Sequence, residues 1–267
     1  MAQEKSGERL KKIRTFMMDL DGTFYLGEKL FPWSHDFVRV LKKQRKEFIF
    51  VTNNSSRNAR YYVDKITRMG VPVERKHVFT SGDATIHWLK KQGIGPKIWV
   101  SGTPDLEEEF TEAGFELTCD HAAAVVLGFD QTLTYEKLRL LCDLVRKGVP
   151  FVATHPDYNC PTPNGPIPDC GAMIAAVTAA TGVKPKIIGK PYPEMVEALC
   201  VKYNLQLESV AMIGDRLYTD IAMGRAAGIL SILVLSGETQ PKDLTGAAHQ
   251  PDLIAKDLGE IARWLVN

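Results

Sequence analysis

An α/β fold with a mostly parallel sheet is what this chain of 267 residues predicts, on three observations. Short apolar runs occur without in/out alternation, as in strands covered on both faces. Helix-like segments lie between them, and such alternation means right-handed crossovers onto a parallel sheet. The runs end in polar residues, and ligands of parallel sheets bind beyond the carboxyl ends of the strands.

Thr15–Met18 is the first run and ends in Asp19. Phe48–Val51 ends in Thr52, Val210–Ile213 ends in Gly214 and Asp215, and Ser231–Leu235 ends in Ser236 and Gly237. Between them, Asp36–Arg45 places Phe37, Val40 and Leu41 on one helical face. Arg60–Met69 gathers Tyr62, Ile66 and Met69, and Pro193–Tyr203 gathers Val196, Leu199 and Cys200. A second set of elements runs from about Gly82 to Gly182. Lys97–Val100, Ala124–Leu127 and Phe151–Thr154 read as strands; Ala84–Lys91, Tyr135–Arg146 and Gly171–Thr181 read as helices. A loop rich in Pro and Gly, His155–Asp169, interrupts this set, and a loop of that length in a compact protein is usually functional. About a hundred residues can form their own core. The expectation is therefore a domain at 83–182 inserted into one formed by 1–82 and 183–267, the alternative being a single large sheet.

Composition narrows the class. Apolar residues are 45 % and charged residues 24 %, against disorder or a collagen-like repeat. With 33 Lys+Arg against 32 Asp+Glu, the net charge of +1 makes no bulk field for nucleic acid. The polar start is not a signal peptide, and no apolar run approaches the ~18 residues of a membrane span. The cysteine count of 5 is odd, without a C-x-x-C pair, and the 6 His form no zinc spacing. These features point to a cytoplasmic protein with free thiols.

The sharpest local signal is Asp19-Leu20-Asp21-Gly22-Thr23, directly after a strand. In an extended segment Asp19 and Asp21 project to one face, and Gly22 permits a sharp turn. Paired carboxylates repel unless a cation lies between them or one holds a proton. A hard divalent ion such as Mg²⁺ suits oxygen ligands, and a protonated Asp can act as general acid. The same residues also suit a plain turn closing a strand. The other strand ends tip the balance: Thr52-Asn53-Asn54, Gly214-Asp215, and Lys190 before a helix. Carboxylates with Mg²⁺ and a lysine are what phosphoryl chemistry requires.

Asp19-x-Asp21-Gly22-Thr23, Thr52, Lys190 and Gly214-Asp215 through Asp220 resemble, in order and context, the four motifs of the haloacid dehalogenase (HAD) superfamily. The likeness extends over nearly the whole chain and is strongest to the NagD-like, p-nitrophenyl phosphatase-like branch. That branch has Thr-Asn-Asn, Gly-Lys-Pro and Gly-Asp-x-x-x-Thr-Asp, as here. The resemblance implies a Rossmann-like HAD core with an inserted, smaller α/β cap. It implies a Mg²⁺-dependent phosphomonoesterase. Asp19 would be the nucleophile and Asp21 the acid and base. Mg²⁺ would be held by the Asp19 carboxylate, the Asp21 carbonyl and the Asp215 carboxylate. Thr52, Asn53 and Lys190 would hold phosphoryl oxygens, with Asn54 and Gly22 beside them. Asp220 would support the site from behind, and it also has a purely structural reading near a helix start. Tyr218 stands where many relatives are acidic, and neither it nor Arg216 is assigned a role.

The resemblance places the substrate pocket between core and cap, lined by His155, Asp169, Cys170 and Gly171. Backbone N–H groups at that helix start are expected to meet an anion; His155 also reads as a loop turn and Cys170 as an inert packed thiol. The expected partner is a small phosphorylated metabolite: a nucleoside monophosphate, a sugar phosphate or phosphoglycolate, with p-nitrophenyl phosphate as artificial substrate. Neither nucleic acid nor membrane is indicated. Relatives often pair through their caps, which implies a homodimer. Two other readings stay open at this point: a phospho-receiver signalling protein, and a phosphomutase on the same core.

Overall fold

A computed structural model describes residues 8–162 and 164–266. Residues 1–7, part of the polar start discussed above, lie outside the described residues. In chain order the main strands are β1 (Thr15–Met18), β2 (Glu47–Thr52), β3 (Val78–Thr80), β4 (Lys97–Ser101), β5 (Glu116–Leu117) and β6 (Val125–Leu127). They continue with β7 (Phe151–Ala153), β8 (Lys186–Ile187), β9 (Val210–Gly214), β10 (Leu230–Val234) and β11 (Leu253–Ala255). The helices are α1 (Ser34–Lys43), α2 (Ala59–Arg68), α3 (Ser81–Lys91), α4 (Pro104–Glu112) and α5 (Tyr135–Arg146). After them come α6 (Cys170–Thr181), α7 (Pro193–Tyr203), α8 (Ala222–Ala227) and α9 (Leu258–Val266).

The chain forms two compact units. The first gathers Met1–Thr52, Val63–Phe79 and Lys190–Asn267; the second gathers Asn53–Tyr62 and Thr80–Gly189.

In the first unit the sheet runs β11-β10-β9-β1-β2-β3. β1 pairs in parallel with β9 (Thr15 opposite Val210) and with β2 (Thr15 opposite Glu47). β10 continues in parallel between β9 and β11. Phe16, Met17 and Met18 have no exposed surface, so neighbours cover both faces of β1. That is why this strand shows no polar alternation. Phe37 of α1 meets the Phe16 ring edge-on at 6.1 Å. The inward face of α1 is Phe37, Val38 and Leu41, and Val40 is only half-buried. On α2 the buried set includes Ile66 and, unexpectedly, Lys65.

The second unit has its own parallel sheet in the order β8-β7-β6-β4-β5. Its core gathers Val125, Leu127 and Phe151 from the strands with Leu141, Val145 and Val177 from α5 and α6. The Pro- and Gly-rich loop contains an antiparallel hairpin, Asn159–Cys160 with Ile167–Pro168. The apolar-run pattern does not pick out β3 and β11, which are only three residues each. It also misses α4, whose inward face is little more than Leu106 and Phe110 among acidic residues. No helix among the described residues is long and apolar enough to cross a membrane.

Candidate active site

β1 lies where the chain's strand order reverses, with β9 on one side and β2 on the other. A crevice is expected beyond the carboxyl ends of such strands. Asp19 follows β1 directly, and its N–H donates to the Ile213 carbonyl of β9 (2.9 Å). The chain then folds tightly over Leu20, whose carbonyl accepts from the N–H groups of Thr23, Phe24 and Tyr25 at 3.3, 2.8 and 3.2 Å. Gly22 turns with φ +85°, and a Cβ there would lie 2.4 Å from Asp215 Oδ2. Only glycine fits that approach.

Asp215 leaves β9 beside Asp19. Its Oδ2 accepts from the Glu238 N–H (2.7 Å) and its Oδ1 from Thr23 Oγ1 (3.4 Å). Gly237 closes the other side: a Cβ there would be 2.0 Å from Asp215 Oδ2. The segment Leu217–Ile221 is a π-helical turn, in which the Ile221 N–H reaches back to the Arg216 carbonyl (3.2 Å). It carries Asp220 into the interior, where Asp220 Oδ2 accepts from the Arg216 N–H (3.2 Å).

Lys190, 2 % exposed, joins these groups. Its Nζ donates to Asp19 Oδ1 (2.5 Å), Asp220 Oδ1 (2.7 Å) and the Val51 carbonyl of β2 (3.1 Å). Desolvation pulls its pKa down, but Asp19 and Asp220 outweigh that and hold it above the ordinary lysine range. Carboxylate oxygens of Asp19, Asp215 and Asp220 all lie within 4.8 Å of one another. Burial and neighbouring anions raise the Asp215 carboxyl. Burial raises that of Asp220 too, although Lys190 opposes it. Thr52 is buried at the end of β2.

Asp21 has surroundings of its own. β1 stops at Met18, so strand alternation does not carry through Asp21, and its carboxylate stands outside the cluster of three. Asp21 Oδ1 accepts instead from the Gly27 N–H (2.9 Å). Burial raises its pKa above the ordinary 3.8, while the Gly27 N–H and the charge of Lys65 pull it back.

The profile of the haloacid dehalogenase-like hydrolases matches residues 16–116, and a HAD-hydrolase-like profile matches residues 187–261. A 5'-nucleotidase of Bacillus subtilis is 33 % identical over 242 residues, 91 % of this chain and 94 % of that protein. The chain belongs to the haloacid dehalogenase-like hydrolases. Among solved structures of this kind, a 4-nitrophenylphosphatase from Thermotoga maritima is 48 % identical with a TM-score of 0.93, covering 96 % of this chain and 99 % of that one. A glycerol phosphate phosphatase from Mycobacterium tuberculosis, solved in complex with magnesium, is 30 % identical with a TM-score of 0.88 over 95 % of this chain and 78 % of that one.

The remaining predicted residues of this HAD-like hydrolase fall in its second unit. Asn53 Nδ2 donates to Asp157 Oδ2 (3.1 Å). Asn54 Oδ1 accepts from the Ser56 N–H (2.9 Å) and Ser56 Oγ (2.7 Å), which makes a local turn. His155 is fully buried; its Nε2 lies 2.9 Å from Asp169 Oδ1 and its Nδ1 2.9 Å from Thr154 Oγ1. Asp169 caps α6, accepting from the Cys170 N–H (2.6 Å), and the Gly171 N–H donates to the Asp157 carbonyl (2.8 Å). In this structure the Cys170 N–H thus meets the carboxylate of Asp169 and the Gly171 N–H a carbonyl of the loop. A side chain at Gly171 would strike the Pro156 carbonyl at 2.2 Å. Burial pushes the Cys170 thiol up to about 12, so it stays protonated.

Thr23 entered the sequence reading only as part of its motif, and Gly237 and the Glu238 N–H were not singled out as site groups. Their signal was positional: the segment after β10 ends at the same sheet edge as Asp19 and Asp215. Lys65 gave no signal, because a lysine on an amphipathic helix ordinarily faces water.

Proposed function

We propose that this phosphatase hydrolyses small phosphomonoesters in two steps, through an aspartyl-phosphate on Asp19. The observation that carries the proposal is the convergence of Asp19, Asp215, Asp220 and Lys190 at one edge of a parallel sheet. In the first step an Asp19 oxygen attacks phosphorus, and the bond to the leaving oxygen breaks as that oxygen takes a proton from Asp21. In the second, water gives a proton to Asp21 and attacks the aspartyl-phosphate, releasing inorganic phosphate and restoring Asp19. Burial raises the Asp21 carboxyl, the direction that favours its giving a proton. Lys190 and Thr52 would bind the phosphoryl oxygens, and Asp220 keeps the Lys190 ammonium charged and aimed.

The donor set fits a hard divalent cation. The buried carboxylates of Asp215 and Asp220 stand close to that of part-buried Asp19, and both glycines beside Asp215 leave its oxygens uncovered by side-chain carbon. Oxygen donors alone favour Mg²⁺ over softer metals. Asp19 and Asp215 would hold it through carboxylates and Asp21 through its carbonyl. Bound there, Mg²⁺ would supply charge neutralisation to the phosphoryl group. The substrate class we propose is a small phosphorylated metabolite such as a nucleoside monophosphate, a sugar phosphate or phosphoglycolate. None of the five cysteines is in a disulfide, which supports a reducing, cytoplasmic setting.

The test compares wild type with Asp19→Asn and Asp21→Asn on p-nitrophenyl phosphate. EDTA abolishes wild-type turnover and Mg²⁺ restores it. Asp19→Asn yields no phosphorylated enzyme. Asp21→Asn loses on the order of 10²–10⁴-fold in turnover yet still forms the phosphoenzyme. Full activity in chelated buffer, or phosphoenzyme on Asp19→Asn, would refute the proposal. A receiver domain would show no steady phosphate release.

A further inference from the structure

Lys65 of α2 is 6 % exposed. Its Nζ lies 3.2 Å from Glu28 Oε1 and 4.2 Å from the centre of the Tyr25 ring. Burying an ammonium is strongly unfavourable unless it is well paired. Glu28 is largely in solvent, 76 % exposed on its side chain, and such a pair contributes little. An apolar residue would pack this face of α2 more favourably, so packing does not account for a lysine here.

Both groups that Lys65 touches belong to one hairpin. Tyr25–Leu26 pairs antiparallel with Lys29–Leu30, and the turn between them is Gly27, at φ +57°, and Glu28. The Gly27 N–H is the donor that holds Asp21 Oδ1 at 2.9 Å. The hairpin is also tied to the Asp21 segment through the Gly22 N–H, which donates to the Tyr25 carbonyl (2.8 Å). Lys65 thus grips the turn on either side of the Gly27 N–H that bonds Asp21.

We infer that Lys65 is a positioning residue: by fixing the Tyr25–Leu30 hairpin through Tyr25 and Glu28, it keeps the Gly27 N–H on Asp21 and so aims that carboxyl at the leaving oxygen. The inference rests on the reading of Asp21 as the acid.

The consequence is selective. Phenolate needs a proton more than p-nitrophenolate does, so a misaimed acid penalises phenyl phosphate most. Steady-state kcat/KM covers the steps through phosphoryl transfer and isolates this effect. Lys65→Met is expected to lower kcat/KM for phenyl phosphate about ten-fold and for p-nitrophenyl phosphate less than about three-fold. Lys65→Arg, which keeps a cation for Tyr25 and Glu28, is expected to recover most of the loss. Melting curves establish that each variant is folded; if Lys65→Met is not, Lys65→Gln is read in the same way. Equal proportional losses on both substrates, no loss, or no recovery with arginine would overturn the inference. Asp21→Asn is run in parallel. If it separates the two substrates and Lys65→Met does not, only the role of Lys65 falls. If Asp21→Asn fails to separate them, the acid assignment itself falls, and this inference with it.

Discussion

Gly237→Ala is the substitution through which the geometry of the acidic cluster can be tested most directly. The added Cβ would stand 2.0 Å from Asp215 Oδ2 and 2.5 Å from its Cγ, whereas ordinary contact begins at 3.4 Å, so something must retreat by about 1.4 Å. The backbone around Gly237 is pinned. The Leu235 N–H donates to the Ala255 carbonyl (3.1 Å), Ser236 Oγ to the Gly22 carbonyl (2.7 Å) and the Thr239 N–H to the Asp215 carbonyl (3.2 Å). The carboxylate is therefore the part that moves. Moving it breaks the Glu238 N–H bond and takes Asp215 away from Asp19. A displacement near 1 Å at a reacting centre lowers turnover by roughly 10²-fold, about 2.7 kcal/mol in the barrier. Stability should fall far less, by the ~1 kcal/mol of one hydrogen bond. The assay is kcat on p-nitrophenyl phosphate across a Mg²⁺ titration, with a melting curve. We expect the Mg²⁺ concentration for half-activity to rise about ten-fold, as when a ligand loses its outer support. Wild-type kcat and an unchanged Mg²⁺ response in a folded Gly237→Ala protein would refute the reasoning.

Three other outcomes follow from the same contacts. Lys190→Met leaves buried Asp220 without its cation and is expected to abolish turnover and lower stability by roughly 3 kcal/mol; the melting-temperature gap to wild type should narrow as pH falls, because a protonated Asp220 no longer needs the cation. Asp252 accepts from Arg9 (3.0 Å), Arg225 (3.2 Å) and the Ser231 N–H (3.0 Å). Burial alone would raise its carboxyl, but these donors hold it below the ordinary 3.8. A depressed folded-state pKa stabilises above the unfolded value and ceases to as pH falls through the folded one, so Asp252→Asn should destabilise by about 1 kcal/mol at neutral pH and by nothing in strong acid, as pH-dependent melting would read. Asp169→Asn weakens the buried pair with His155 and the α6 cap together, and should lower stability by about 2 kcal/mol and speed proteolysis within residues 155–169; a cleavage rate equal to wild type would contradict this.

Much of the candidate site's placement was legible in the sequence because it is built from strand ends. β1 begins and ends where its apolar run does, Asp19 and Asp215 each follow a buried strand, and Thr52 is the last residue of one. Lys190 was legible from its place before a helix. Asp21 was harder, since period-two reasoning holds only while the chain stays extended, and the bonds to the Leu20 carbonyl end that extension. The engagement of the Cys170 and Gly171 N–H groups was not legible, because their partners depend on how the loop closes on itself. Lys65 was hidden for another reason: helical periodicity marks it as polar, and burial of a polar residue is decided by tertiary neighbours.

The pairing of β1 with β9 also bears on how the protein is made. Thr15 waits for Val210, ~195 residues that a ribosome adds in about 10–40 s. Until then β1 can find β2, but its other edge and the apolar side chains of Phe16 and Met17 lack the strand that completes them. Thr80–Gly189, by contrast, leaves the ribosome as one uninterrupted stretch and carries nearly all of the second unit. That unit is therefore the first that can close on the nascent chain. Asp19 meets Lys190, Asp215 and Asp220 only once those later segments have been made, so any product truncated before Lys190 would carry the proposed nucleophile without the charges that surround it.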